Sequence, residues 1–112
     1  MKKIEAIIRP AKVGDVCVAL EKIGHPGIMI TEIEGHGKQK GIEQEFHGKT
    51  YKTDLLSKAL LAVVVNDRDL DKTIKAIREA AFTGKMGDGK IFIYPVDNAI
   101  RIRTDEKGEI AV

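Results

Sequence analysis

The sequence predicts an α+β fold with the element order β-α-β-β-α-β. Three observations predict it. Along the 112 residues the apolar period switches twice from strand-like alternation to helical spacing and back. Pro10, Gly24, Gly84 and the Gly87-Asp88-Gly89 cluster punctuate the places where it switches. The two halves of the chain read as similar βαβ units, which is the ferredoxin-like split arrangement.

Each element has its own justification. From Lys3 to Arg9, Ile4, Ala6 and Ile8 alternate with Glu5, Ile7 and Arg9, which is a strand. Pro10 ends it, because proline has no N–H to give a ladder. Val13, Val16, Cys17, Leu20 and Ile23 then fall at helical spacing, and Gly24 is a natural stop. His25-Pro26-Gly27 is a turn, and Ile28 to Gly35, rich in β-branched residues, is a second strand. About twenty residues follow without usable periodicity, a length that compact domains carry mainly for function. Lys58 to Val65 is a nearly continuous apolar strand. Asn66 or Asp67 caps a second helix whose stripe is Leu70, Ile74, Ile77 and Ala81, with Gly84 as its end. Lys90 to Pro95 is a fourth strand, and Ile100 to Arg103 alternates as a short extra C-terminal strand. The residues from Thr104 onward read as a loose charged tail.

At this length the chain is one domain, residues 1–112. Its 19 basic residues nearly cancel 17 acidic ones, and a net charge of +2 does not fit a general nucleic-acid binder. No run approaches the ~18 apolar residues of a membrane span, so direct membrane insertion is not expected. The start reads directly as a strand rather than a leader. The single cysteine, Cys17, reads as a small half-buried thiol. Together these place the protein in the cytoplasm.

One inconsistency points beyond a single chain. A sheet covered by helices on one face alternates apolar and polar residues. Residues 59–65 and 91–94 are apolar on both faces. The second face needs a cover, and another copy of the same chain is the expected one.

No nucleophile–base spacing stands out, and His25, His36 and His47 read as exposed loop histidines rather than metal ligands. Phosphate binding has more support. Thr83 to Lys90 joins a helix to a strand, its glycines allow close backbone approach, and successive N–H groups can form an anion nest. A plain turn is the simpler reading of Gly-Asp-Gly-Lys alone. Arg101 and Arg103, two apart on one strand face, would grip phosphate as a fork. Gly37-Lys38-Gln39-Lys40-Gly41 offers two cations and a neutral amide oxygen suited to Mg²⁺. Lys58 opens an apolar strand and needs either a ligand carboxylate or an acidic neighbour. Tyr51, in the polar loop, reads equally as a contact or modification site and as a partly packed tyrosine.

These segments together resemble the PII nitrogen-regulatory signal-transduction proteins. The resemblance runs without gaps over the whole chain. It rests on Lys2 to Pro10, Gly35 to Gly41, Gly48 to Tyr51, Thr83 to Phe92 and Ile100 to Thr104. It implies a ferredoxin-like homotrimer with ATP or ADP in clefts between subunits. Gly87, Asp88, Gly89 and Lys90 would hold the phosphates, and Arg101 and Arg103 would reach across from the neighbour, with Ile102 between them. Gly37, Lys38 and Gln39 would close the site, and Ile7, Met29 and Val64 would line it. The resemblance further implies 2-oxoglutarate beside MgATP, with Gln39 on the metal and Lys58, Lys40, Gly41 and Gly87 around the effector. Residues 37–57 would be a T-loop that docks on an ammonium transporter, recruiting the protein to the membrane, or on nitrogen-metabolism enzymes. Residues 104–112 would be a C-terminal tail. Tyr51 matches a tyrosine that is uridylylated in some bacterial members. Met29 stands where threonine is usual, Lys38 where arginine is common, Ala62 where glutamate is usual, and His36 and Ala11 each where phenylalanine is usual.

Two other functions are weighed against this regulatory one. A nucleotide hydrolase would need Asp88, the only acid in the glycine motif, as general base. An RNA-binding sheet would stack bases on Phe92 and Tyr94, which occupy one strand only.

Overall fold

The computed structural model describes the backbone of residues 1–25, 27–36, 42–46, 49–53 and 55–112, and the side chains of 1–25, 27–34 and 57–112. The elements are β1 (Lys2–Ile8), α1 (Val13–Lys22), β2 (Met29–His36), β3 (Ile42–Phe46), β4 (Lys49–Thr53), β5 (Leu55–Val65), α2 (Leu70–Ala81) and β6 (Lys90–Pro95). The main sheet has the order β2-β5-β1-β6, and every pairing in it is antiparallel. This is the expected ferredoxin-like α+β fold.

The alternation in β1 becomes a buried face. Ile4, Ala6 and Ile8 are buried while Glu5 and Ile7 are only half-buried. They meet Ala59, Leu61, Val63 and Val65 of β5, and the helices close over them with Val16, Leu20, Ile77 and Ala81. Each large aliphatic side chain so buried contributes roughly 1.5–3 kcal/mol. The face away from the helices carries Met29, Phe92 and Tyr94 at 53%, 44% and 45% exposure. The apolar second face read from the sequence is therefore uncovered in the single chain. Interaction with the Glu5 carboxylate on the same face pushes the Tyr94 phenol's pKa up.

α1 ends as its glycine predicts. Gly24 has φ +91°. Its N–H bonds to Glu21 O at 3.0 Å and the His25 N–H bonds to Leu20 O at 2.9 Å, the pair of bonds that closes a left-handed helix end. His25 is not an exposed loop histidine. It is half-buried, and its Nε2 lies 3.1 Å from the hydroxyl of Thr73, the one buried polar residue among those described. That hydroxyl donates its only proton to Asp69 O at 2.7 Å. The proton between the two side chains therefore sits on His25 Nε2. This bond ties the end of α1 to α2. Thr73→Val keeps the shape and strands the imidazole N–H, so urea unfolding is expected to show a loss of about 1–2 kcal/mol.

Five further expectations need correction. The loop after β2 contains a hairpin: β3 pairs with β4 antiparallel, Gln44 opposite Tyr51. Ile-Glu-Gln-Glu-Phe does alternate, but its small apolar content hid the period. β2 and β5 also run further than predicted, to the pair His36–Leu55, because the backbone ladder continues with Ser57, Leu56 and Leu55 opposite Glu34, Gly35 and His36. Ile100–Arg103 is not a strand. Ile100 forms an isolated bridge with Lys107, and Arg101 begins a turn closed by Arg101 N–H to Glu106 O (2.9 Å) and Asp105 N–H to Arg101 O (2.8 Å). Asp105 takes the turn's left-handed position at φ +61°. The tail is not loose either: Gly108 N–H bonds to Ala99 O, and Gly108–Ala111 forms a 3-10 turn. Finally, Asn66 precedes a 3-10 turn (Asp67–Asp69) that leads into α2, but its side chain makes no cap. The backbone carbonyl of Asn66 takes the Asp69 N–H instead.

Candidate functional site

α2 stops at Ala81, where Phe82 turns extended, and the chain returns to the sheet through Thr83–Gly89. Three glycines carry this return: Gly84, Gly87 and Gly89 have φ of +83°, +100° and +95°, values at which a side chain is strained. Gly89 is also wedged against β1. A Cβ there would lie 1.7 Å from Ile7 O.

Asp88 is the hub of the turn. Its Oδ2 accepts the N–H groups of Thr83 and Gly84, both at 2.9 Å. Its Oδ1 accepts the Thr83 hydroxyl and Arg9 Nε, the latter at 3.1 Å. These bonds, the Thr83 contacts first, hold the carboxyl well below the usual carboxylate range. Both oxygens are spent on the fold, and so low a pKa makes a poor general base. The hydrolase reading loses its one candidate base here. What Asp88 can offer a phosphate is its backbone N–H, not its charge.

Two cations reach the turn from the sheet. Arg9, just beyond the end of β1, bonds to Met86 O at 2.7 Å as well as to Asp88. Lys58 of β5 donates to Gly87 O at 2.5 Å. Sequence reasoning left Lys58 between a ligand and an acidic neighbour; the structure gives it a backbone carbonyl, with Asp88 near enough to stabilise its charge. Burial lowers the Lys58 pKa, Arg9 adds to the lowering, and Asp88 opposes it. Arg9 was missed. It lies 79 residues from Asp88, and no local spacing connects them.

The predicted residues fall into separate groups. In register, Ile7 faces both Leu60 and Lys90, so Ile7, Lys58 and Lys90 share the face away from the helices at the glycine-turn end. Arg9, Lys58 and Lys90 against Asp88 leave this end with an excess of positive charge. Val64, opposite Lys3, and Met29, opposite Ala62, lie on the same face toward the other end. Four residues of strand, about 13 Å, separate Leu60 from Val64. The chain leaves that far end of β6, at Pro95, to reach Arg101, Ile102 and Arg103. Arg101 is held there by Glu106 (3.0 Å) and Ile110 O (3.1 Å). Arg101 and Arg103 sit in a turn, so they do not form the strand-borne fork. Gly37, Lys38, Gln39, Lys40 and Gly41 lie outside the described residues, as does the side chain of Tyr51.

On the helix side of the turn, between α2 and β6, is a cavity of about 390 Å³ lined by Ile77, Ala81, Phe82 and Ile91, with Asp88 and Gly89 in its wall. Among the described residues no group of three His, Cys, Asp or Glu could hold a metal, and no helix is long and apolar enough to cross a membrane.

Comparisons with known proteins bear on the whole chain. A family model described as nitrogen regulatory protein P-II matches residues 1–106. The chain is 53% identical to a nitrogen regulatory protein P-II of Haemophilus influenzae and 49% identical to one of Pasteurella multocida, in each case over all of both chains. Among solved structures, Arabidopsis thaliana PII bound to citrate superposes with a TM-score of 0.81 at 37% identity, covering 99% of this chain and 91% of that one.

Proposed function

This chain belongs to the nitrogen regulatory protein P-II family, a family of signal-transducing regulators, and on that premise we propose that it is a homotrimer that senses adenylate charge and 2-oxoglutarate. ATP or ADP binds between neighbouring subunits. One subunit supplies the glycine turn with Ile7 and Lys90, closed by Gly37, Lys38 and Gln39. The next supplies Met29, Val64, Arg101, Ile102 and Arg103. The single observation that carries this reading is the separation of Ile7 and Lys90 from Met29 and Val64 along the same face of one sheet. A nucleotide that needs both groups finds them together only across a boundary between copies. The uncovered apolar face, with Met29, Phe92 and Tyr94, supplies the surface for that boundary.

2-oxoglutarate then binds beside MgATP, with Lys58 on its distal carboxylate and Gln39, Lys40, Gly41 and Gly87 around it. With no carboxylate or imidazole cluster among the described residues, Mg²⁺ fits here as an ion brought by the triphosphate, with Gln39 giving one neutral oxygen. When bound, the ion neutralises the phosphates and presents a site for the effector's oxygens. Ligand binding at the loop base shifts the population of T-loop (37–57) conformations. That loop docks on an ammonium transporter or on nitrogen-metabolism enzymes, and Tyr51 is its candidate uridylylation site. The protein is a cytoplasmic regulator, recruited to the membrane only through such a partner, and not an enzyme.

Calorimetric titration with ADP, ATP and MgATP plus 2-oxoglutarate tests this, alongside the mass of the assembly in solution. Effector binding is expected only with MgATP. Lys58→Ala is expected to abolish effector binding and to weaken ADP by only a few-fold. Unchanged effector binding in that variant would remove Lys58 from the site.

A further inference from the structure

Arg9 belongs to no part of the nucleotide site described above, yet it holds the backbone of the glycine turn. Among the described residues every peptide bond is trans. In a trans peptide the C=O of one residue and the N–H of the next point in opposite directions. Arg9 takes the carbonyl of Met86 at 2.7 Å, from the sheet side. The N–H of Gly87, in the same peptide, therefore points away from the sheet cations. Lys58 takes the carbonyl of Gly87 at 2.5 Å, and the N–H of Asp88 is turned outward in the same way. Among the described residues the Gly87 N–H has no acceptor, while the Asp88 N–H only loosely closes the turn at Met86–Gly87. The Gly87 N–H is thus an open donor with a second N–H beside it, the beginning of an anion nest.

We propose that Arg9 is a positioning residue for phosphate binding: by anchoring the Met86 carbonyl and the Asp88 carboxylate it presents the Gly87 N–H to a phosphate oxygen. The inference rests on the nucleotide reading above and adds a residue to it. Arg9 does not touch the ligand. Its guanidinium spans two acceptors on separate residues in one plane, Asp88 through Nε (3.1 Å) and Met86 O through a terminal nitrogen. A lysine, with a single point charge on a flexible stem, reaches one of them at a time. The two anchors also differ in what can release them. Lys58 holds Gly87 O with the ammonium assigned to the effector, so effector binding competes for that anchor. Arg9 keeps the neighbouring peptide in place whether or not the effector is bound.

The test compares ADP with adenosine, which lacks the phosphates, on the full-length chain. ADP is followed by calorimetry and adenosine by ligand-observed NMR. Arg9→Met is expected to weaken ADP by about tenfold or more, with adenosine unchanged within about twofold. Arg9→Lys is expected to recover part of the loss. ADP binding within about twofold of wild type in Arg9→Met overturns the proposal. So does a parallel fall for ADP and adenosine, which would mark Arg9 as a general support of the fold. If Arg9→Met fails to fold, Arg9→Lys carries the same comparison, with an ADP-selective loss expected and an unselective one overturning. A wild-type chain that binds no ADP sinks the nucleotide reading itself, and that result is visible before any substitution is made.

Discussion

Gly89→Ala is expected to be the most damaging single-methyl change in this protein. The added Cβ would lie 1.7 Å from the carbonyl oxygen of Ile7 and 2.8 Å from its carbon. Both atoms are main chain of β1, paired with β5 on one side and with β6 on the other, so no side chain can swing away. The residue also holds φ +95°, which by itself costs an alanine about 1–2 kcal/mol. Relief requires β6 to retreat from β1 at the Ile7–Lys90 pair, and that pair carries the turn. A loss of about 3 kcal/mol or more is expected, read as a fall in the urea midpoint at fixed protein concentration, and nucleotide binding should go with it. Gly108→Ala is the control. It shares the positive φ, at +78°, but nothing lies within 4 Å of its Cβ, so its cost should stay near the backbone penalty alone. Equal effects at the two positions would show that conformation, not the contact with Ile7, dominates.

Asp88→Asn should uncouple the turn from both β1 and α2. The carboxylate accepts from Thr83 N, Gly84 N, the Thr83 hydroxyl and Arg9 Nε. An asparagine has one acceptor oxygen and an NH₂ group. In either orientation its NH₂ faces donors: the two backbone N–H groups, or the Arg9 guanidinium. ADP affinity is expected to fall by about tenfold or more. The pH dependence gives a second readout. The folded pKa of Asp88 lies below its ordinary value of 3.8. Its contribution is therefore fully present above about that value and is lost as pH falls from there toward the folded pKa. Wild type should lose stability over that acid range by a component that Asp88→Asn lacks. Parallel stability curves for the two proteins below pH 4 would show that the carboxylate's bonds do not stabilise the fold.

Much of this was legible along the chain. β6 begins and ends at the predicted residues, Lys90 and Pro95. α2 contains its predicted apolar stripe, α1 contains all of its own but Ile23, the C-cap, and Gly24 closes α1 as its position implies. The glycine turn between α2 and β6 was legible from its residue types alone. The role of Asp88 within it was not. A carboxylate beside glycines reads as a ligand contact, and only the fold shows its oxygens turned back onto Thr83, Gly84 and Arg9. His25 was misjudged for the same reason: its partner, Thr73, lies on the other helix. The strand expected at Ile100–Arg103 failed because alternation over four residues is too short to require a strand when a cation can fold back onto Glu106 and Ile110 O.

The sequence by itself determined the two helices and the four strands of the main sheet, their order and the family, because a side-chain period is written in neighbours two to four residues apart and a long set of ordered motifs is specific. Only the tertiary structure decided that Arg9 would meet Met86 and Asp88, that Lys58 would hold a backbone carbonyl, and that Ile7 and Lys90 would stand apart from Met29 and Val64 on one face of the sheet. Those outcomes depend on strand register and on where the chain returns after α2, and neither is encoded at any local spacing.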